Sequence, residues 1–338
     1  MDDHVQPWRP NSARPSLVPV TAPRSTTKLA VVGAGAVGAT LAFTALARGT
    51  ARTVALMDIN KAKVDAEVLD LQHGGMFVPQ AEVIGSDDIE VCRDADVVVV
   101  TAGAKQRPGQ SRLDLAEATI ALTRTILPGL VEVAPHATFL MVTNPVDVVT
   151  YAAQQISGLP AERVFGSGTV LDSSRLRAAL AQHCGVATGN VHAYIAGEHG
   201  DSEIVLWSSA TIAGVPLLEW EALPGRPPLD AAVRKTIARD VVESAYRVIA
   251  GKGATNYAVG LAATRIVEAV LNDEHRVMPV STRIEGFHGI GDVCLSLPTL
   301  VDARGATTVV DTPLSAQEEE GLRSSAASVR AVQQRFGL

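Results

Sequence analysis

Apolar and polar positions along the chain follow two different rhythms. In the first half, short apolar runs alternate with stretches of helical period. Lys28 to Val32, Thr53 to Met57, Val97 to Val100 and Thr138 to Val142 read as strands buried on both faces. Glu82 to Ile84 and Arg163 to Phe165 are shorter runs of the same kind. Between them lie an Ala-rich helical stretch from about Val37 to Arg48 and a second from Lys61 to His73. In the latter, Val64, Val68 and Leu71 recur at helical spacing. A third helix runs from Leu113 through Ile120 and Leu127. Five or six strands alternating with helices predict an α/β fold with a doubly wound parallel sheet.

The second half loses that alternation. A helix follows Gly166 to Thr169, with Leu176, Ala179 and Leu180 on its apolar side. Val191 to Ile195 reads as a strand and Ile204 to Ile212 as a helix. After a Pro-rich turn at Pro224 to Pro228, a long helix from Asp230 to Ala250 sets Val233, Ile237, Val241, Ala245 and Val248 on one side. Another helix runs to about Leu271. Val277 to Arg283, Val293 to Leu297 and Thr307 to Val310 read as antiparallel strands. Ser315 with Glu318 three residues on is a capping box for a last helix, whose buried face is Leu322, Val329 and Phe336. This half is α+β, without internal repeats. The boundaries predicted are a tail over 1–27, a nucleotide-binding domain over 28–166 and an α+β substrate domain over 167–338.

Composition narrows the class. The chain has 338 residues, 47% hydrophobic and 19% charged, which suits a globular protein of two ordinary domains. A net charge of −7 argues against a general nucleic-acid binder, which needs a basic stripe. No uninterrupted apolar run reaches the roughly 18 residues that span a bilayer. Cys92, Cys184 and Cys294 are odd in number and far apart, so they read as buried thiols in a reducing compartment, not a disulfide framework or a metal site. Residues 1–27 hold Pro7, Pro10, Pro15, Pro19 and Pro23 and lack the apolar core of a secretory signal. They are expected to be disordered, with Asp2 and Asp3 unlike a transit peptide, and the protein is expected to be cytoplasmic.

The first chemical signal is Gly33, Gly35 and Gly38 between the first strand and the first helix. The first glycine makes the turn, the second lets backbone N–H groups approach a pyrophosphate, and the third lets helix and strand pack closely. The second strand ends in Asp58, 20 residues after Gly38. A carboxylate there accepts both hydroxyls of an adenosine ribose and repels a 2′-phosphate, so the pair reads as NAD rather than NADP. The bland reading is a turn with a structural aspartate. Gly103 and Asn144 also fall at carboxyl ends of strands, where open α/β sheets bind ligands.

The second signal is His199, between Gly197-Glu198 and Gly200-Asp201. Histidine exchanges a proton near neutral pH, but alone in such a turn it reads first as a solvated loop residue. An acid/base histidine needs an orienting carboxylate, and Asp172 is the candidate. Arg175, three residues on and on the same helical face, offers a fork for a substrate carboxylate. Arg177 lies about 200° around from Arg175 and must point elsewhere. Arg112, on a polar loop holding Pro108 and Gly109, can polarise a carbonyl, and Asn144 can hydrogen-bond the same oxygen. Singly, these are a surface ion pair, a solvated loop charge and a turn former. Together they describe hydride transfer between a 2-hydroxy acid and NAD.

The motifs GAGAVG, TAGAKQRPGQSRLDL, VTNPVD, GSGTVLDSSRLR, NVHAYIAGEHGDSE and KGAT occur in that order over roughly residues 28 to 335. In them the chain resembles the lactate/malate dehydrogenase superfamily, most closely its bacterial L-lactate dehydrogenases. The resemblance implies a Rossmann-type first domain and a reversible conversion of (S)-lactate and NAD to pyruvate and NADH. It implies His199 as acid/base, Asp172 as its partner, Arg175 as carboxylate clamp and Arg112 as the loop arginine. Asn144 and Thr255 would contact substrate, and Gln106 would sit at the specificity position. The nucleotide side would be Gly33, Gly35, Val37, Gly38, Asp58, Lys63, Gly103, Ala104, Val142, Thr143, Asn144 and Ser167.

Within that superfamily, malate dehydrogenases typically carry arginine where this chain has Gln106. A neutral glutamine leaves the second carboxylate of oxaloacetate unpaired in a closed site, at a cost of several kcal/mol. Pyruvate is therefore the expected substrate, and malate or another 2-hydroxy acid the alternative. Gln110 departs from the family, which usually has glutamate there. Arg177 and His192 match positions that bind fructose 1,6-bisphosphate in allosteric bacterial members, and the family implies a homotetramer. A non-catalytic NAD-binding module is the alternative of a different class. It predicts loss of the chemical residues, yet His199, Asp172, Arg175, Arg112 and Asn144 are all present.

Overall fold

A computed structural model describes residues 26–103 and 112–338, with Arg112 described by its helical backbone alone. Residues 1–25 of the expected disordered tail, Ala104, Gln106, Gln110 and the Arg112 side chain lie outside the described residues, while Thr27, the last residue of that expected tail, accepts from Arg52 N–H and Thr53 N–H. The first half runs β1 (Lys28–Val32), α1 (Ala36–Arg48), β2 (Thr53–Met57), α2 (Lys61–His73), β3 (Glu82–Ser86), β4 (Val97–Val100), α3 (Arg112–Val133), β5 (Thr138–Met141), α4 (Val146–Ser157) and β6 (Val164–Gly166). The chain continues through α5 (Val170–Cys184), β7 (Val191–His192), β8 (Ile195–Ala196), β9 (Ile204–Val205), β10 (Thr211–Ile212) and β11 (Val215–Pro216). It ends with α6 (Ala231–Lys252), α7 (Tyr257–Leu271), β12 (Arg276–Phe287), β13 (Ile290–Asp302), β14 (Gly305–Val309) and α8 (Ala316–Arg335).

The parallel strands pair in the order β6-β5-β4-β1-β2-β3, so the sheet reverses direction between β1 and β4, a doubly wound arrangement with a crevice at that point. Strand alternation explains the two layers that flank it. Leu29, Val31, Val97 and Val99 pack with Leu41 and Ala45 of α1 and with Ile266 and Val267 of α7. Ala30, Val32, Val98 and Val100 point the other way, onto Leu127 and Leu130 of α3 and Val149 and Ala153 of α4. Burying both faces requires the continuous apolar runs seen in the sequence.

Two expectations change and one is extended. The antiparallel strands are present and join the parallel sheet: β12 pairs with β6 at Ser281 and Gly166, and β13 and β14 extend the same nine-stranded sheet. Val191 to Ile195 is two strands in different small sheets, β7 with β10 and β8 with β9. Ile204 to Ile212 is not a helix. Ile204 and Val205 pair with Ala196 and Ile195, and Thr211 and Ile212 pair with His192 and Val191. β-Branched residues with strand partners on offer take the pleated conformation over their helical spacing.

Helix ends follow local chemistry. Asn60 caps α2 by accepting from Lys63 N–H, Asp230 caps α6 through Val233 N–H, and Ser315 and Glu318 complete the predicted capping box of α8. Leu322 and Val329 of α8 are buried and Phe336 is half-buried just past its end. The apolar side of α6 is buried at Ile237 and Val241, half-buried at Val233 and Ala245, and exposed at Val248. The three cysteines are free and buried. Burial pushes the Cys92 thiol up to about 12 and Cys294 well above its ordinary value, which leaves both unreactive. Among the described residues, no helix is long and apolar enough to cross a membrane.

Candidate active site

The glycine turn has the form a dinucleotide needs. Gly33 adopts φ +102°, and a Cβ there would meet Ala102 N at 2.7 Å. A Cβ on Gly38 would meet Gly33 O at 1.9 Å, so only glycine lets α1 start against β1. Gly35 differs: nothing lies within 4 Å of the place a Cβ would take, which leaves open space beside the N-terminus of α1. Asp58, at the end of β2, accepts from Ala34 N–H at 2.8 Å and from Asn60 N–H at 3.0 Å. These bonds fix its carboxylate beside the turn. Gly103 and Thr143 stand at the adjoining ends of β4 and β5, and a Cβ on Gly103 would fall 2.1 Å from Thr143 Cγ2. Thr143 in turn donates to Ala102 O at 2.8 Å. The cradle therefore fits an NAD-sized ligand: open at the second glycine, closed behind it, and acidic where a ribose would lie.

Around this cradle, Val37 and Lys63 sit half-buried in the first turns of α1 and α2. Val142 and Thr143 are half-buried and Asn144 exposed in the link from β5 to α4. Ser167 follows β6 and donates its N–H to Met141 O at 2.8 Å. Thr255 lies half-buried between α6 and α7, where neighbouring Asn256 bonds Thr40 of α1 at 2.9 Å.

The loop between β8 and β9 carries His199, and three other elements hold it. Gly197, at φ +91°, exchanges two backbone hydrogen bonds of 2.9 Å with Ser296 of β13. Ser325 of α8 accepts from Glu198 N–H at 2.7 Å. Asp147 of α4 accepts from His199 N–H at 2.7 Å. The imidazole Nδ1 then meets Asp172 Oδ2 at 2.6 Å, and the other Asp172 oxygen accepts from Arg175 Nη1 at 2.6 Å. With Nδ1 engaged, Nε2 is the nitrogen left to exchange a proton.

The charges reinforce this arrangement. Asp172 is buried in the first turn of α5 and Asp147 in the first turn of α4, where helix dipoles favour carboxylates. Burial opposes the ionised Asp172, but His199 and Arg175 outweigh it and hold its carboxyl below the ordinary value. Burial also disfavours the imidazolium, yet Asp172 above all, and then Asp147, push His199 up to about 9. Asp147 is pushed up to about 6 by burial, against the Ser281 hydroxyl it accepts at 2.6 Å. Thus near neutral pH the pair is an imidazolium on a carboxylate, ready to donate a proton.

The structure brings His199, Asp172 and Arg175 into direct contact, and groups the glycine turn with Asp58. Arg177 turns away from Arg175, as its helical position requires: its Nε donates to Ala193 O at 2.9 Å and its guanidinium stacks 4.9 Å from the Tyr194 ring. His192 is exposed on β7, one residue from that carbonyl. Sequence reasoning gave no role to Asp147, Ser281 or Ser325. Asp147 stood in the quoted VTNPVD motif, which was the available signal. Its partner Ser281 lies 134 positions away and leaves no trace in local pattern.

Comparisons with known proteins agree with this layout. Residues 27–166 match the lactate/malate dehydrogenase NAD binding domain, and residues 169–335 match the lactate/malate dehydrogenase alpha/beta C-terminal domain. The chain is 57% identical over 319 residues to the L-lactate dehydrogenase of Bifidobacterium animalis subsp. lactis, covering 94% of this chain and 100% of that one. It is 43% identical over 311 residues to the L-lactate dehydrogenase of Thermoanaerobacter pseudethanolicus, covering 92% and 99%. Among solved structures, the minor L-lactate dehydrogenase from Enterococcus mundtii in its ligands-bound form matches with a TM-score of 0.88 and 37% identity, over 92% of this chain and 98% of that one.

Proposed function

The chain belongs to the lactate/malate dehydrogenase family, and we propose that His199, held by Asp172, is the acid/base of its L-lactate dehydrogenase reaction. The enzyme is an NAD-dependent oxidoreductase that interconverts (S)-lactate and pyruvate. NAD, when bound, accepts or supplies the hydride at C2. The observation that carries the reading is the 2.6 Å bond from His199 Nδ1 to Asp172, with Arg175 on the other carboxylate oxygen.

In this reading the residues divide the work. Asp172 fixes the imidazole, so that Nε2 takes the hydroxyl proton of lactate or returns it to the carbonyl oxygen of pyruvate. Arg175 receives the substrate carboxylate, and Arg112 and Asn144 stabilise charge on the carbonyl oxygen. Thr255 completes the substrate contacts. Gln106 selects a neutral substituent at C3, hence pyruvate over oxaloacetate. Gly33, Gly35, Gly38, Val37, Asp58, Lys63, Gly103, Ala104, Val142, Thr143 and Ser167 hold the nucleotide. Arg177 and His192 would bind fructose 1,6-bisphosphate, and the protein would work as a cytoplasmic homotetramer. Exposed Met76, Phe77, Tyr246, Ile249 and Tyr257 supply apolar faces that assembly would bury, which supports the oligomer.

The test is steady-state reduction of pyruvate and of oxaloacetate by NADH, each with and without the bisphosphate. Pyruvate is the expected substrate, and a preference for oxaloacetate overturns the reading of Gln106. A half-saturation unmoved by the bisphosphate at every pH from about 5.5 to 7.5 overturns the allosteric site. Replacing His199 by alanine is expected to abolish turnover while NADH still binds.

A further inference from the structure

Glu203 closes the loop that carries His199, and the roles above leave it unused. A Glu203 carboxylate oxygen, an Asp172 oxygen and a His199 ring nitrogen all lie within 4.8 Å of one another. The two cations of the group are already committed: Asp172 takes His199 on one oxygen and Arg175 on the other. Glu203 Oε1 is buried and finds no hydrogen-bond partner among the described residues. An ionised carboxylate in that position would be desolvated beside the Asp172 anion and would share His199 and Arg175 with it, and burial and Asp172 outweigh the pull of those two cations.

The surrounding elements bring no further cation among the described residues. From α5 come Asp172 and Arg175, and from the loop Glu198, His199 and Asp201. Asp201 is bonded to Tyr246 of α6 at 2.7 Å, and Glu198 accepts from Ser202. From α4 comes Asp147, on the backbone of His199. α8 faces the loop with Ser325, while its Glu318 is committed to Ser315 and Ser208.

We infer that Glu203 is a positioning residue of the acid/base site, working as a neutral carboxylic acid that leaves Asp172 as the one anion beside the two cations, His199 and Arg175, until the substrate carboxylate arrives. The inference rests on the dehydrogenase reading above. While Glu203 keeps its proton, Arg175 meets the incoming carboxylate without a rival anion. Once it ionises, the site holds a second negative charge that repels the substrate and tightens the grip of His199 on its own proton. Burial first, and then Asp172, push the Glu203 carboxyl up to about 8, in accord with this geometry. Pyruvate reduction then requires two protons on the enzyme, one on His199 and one on Glu203.

The test compares the wild-type protein with Glu203→Gln, which keeps the shape and cannot ionise. The wild type should lose kcat/KM for pyruvate by about 50-fold between about pH 9 and pH 10, approaching a two-proton limb, and E203Q by only about 5-fold, approaching a one-proton limb. An unchanged two-proton limb in E203Q overturns the inference. A second readout does not depend on turnover. The infrared carbonyl band of a protonated carboxyl should be present in the wild type near pH 7 and absent from E203Q. A band that persists in E203Q overturns the inference. If E203Q does not fold, the wild-type band decides: it must fade as the pH rises through about 8, and its absence at pH 7 overturns the proposal. Failure of the dehydrogenase reading would appear differently, as no NADH-dependent reduction of pyruvate at any pH, with the infrared band still reporting on Glu203.

Discussion

Asp172→Asn tests the centre of the proposed mechanism. His199 stands at about 9 against an ordinary 6.5, which favours the imidazolium by roughly 3 kcal/mol. Burial opposes that shift, and Asp172 is its largest favourable source. The amide removes the charge and leaves burial largely unopposed, so the imidazole should fall to its ordinary value or below. At pH 7.5 the fraction carrying a proton then drops from nearly all to roughly a tenth or less. A second loss adds to this. Both Asp172 oxygens accept bonds of 2.6 Å, from His199 and from Arg175, and an amide can satisfy only one of them as an acceptor. Together these predict a fall of roughly 100-fold or more in kcat/KM for pyruvate at pH 7.5. The pH profile separates the causes. Reduction needs the protonated ring, so the His199 step of the alkaline limb follows the His199 value, and D172N should move that step down by at least about two pH units. NADH binding, followed by fluorescence, should be retained. A limb that stays near pH 9 in D172N would refute the assignment of Asp172 as the partner that sets the proton affinity of His199.

Three further outcomes are expected. Gln106→Arg should raise the oxaloacetate-to-pyruvate ratio of kcat/KM by roughly 100-fold, since it pairs a carboxylate otherwise left uncompensated; an unchanged ratio in steady-state assays would place the specificity elsewhere. Asp58→Ala should weaken NADH binding by about 10-fold and narrow the preference over NADPH, because Ala34 N–H loses its acceptor and the ribose its carboxylate; titration with both nucleotides reads this. Ser281→Ala should cost about 1–3 kcal/mol by removing the hydroxyl donor of buried Asp147. The Asp147 carboxyl already stands above its ordinary value, so its ionisation in the folded state is destabilising and grows as pH rises from 3.8 through about 6. Losing the Ser281 donor raises that value further in S281A, so the melting-temperature gap to wild type should stay flat below about pH 6 and widen above it, and a gap that does not widen there would exclude Asp147 as its source.

How much of this the sequence shows follows from the range of the forces involved. The parallel strands and their helices were legible because a strand buried on both faces must be apolar throughout, as Val97 to Val100 are. The turn at Gly33 was legible because only glycine fits a φ of +102° against Ala102. The Asp172–Arg175 pair was legible because three residues of helix place two side chains on one face. Ile204 to Ile212 was misread because its periodicity suits a helix, while the strand partners that decide the matter come from Val191 to Ala196. The junction of the two halves was invisible for the same reason: β6 and β12 are more than 100 positions apart, and nothing local marks either as the other's partner.

That junction bears on the chemistry as well as the architecture. Ser281 pairs with Gly166 where the parallel sheet meets the antiparallel strands. A Cβ on Gly166 would lie 2.5 Å from Thr150 Oγ1 and 3.0 Å from Ser281 Cβ, and one on Gly168 would lie 2.6 Å from Ser281 N. The two glycines of Gly166-Ser167-Gly168 are therefore what lets β12 close onto β6. Closing that seam brings the Ser281 hydroxyl to Asp147, and Asp147 in turn holds the backbone of His199. The pairing that merges the two halves into one sheet thus also anchors, through Ser281 and Asp147, the backbone of His199. A substitution on the far side of this seam, such as Ser281→Ala, should therefore disturb His199 through Asp147, so pyruvate turnover should fall at nucleotide concentrations that still saturate the enzyme.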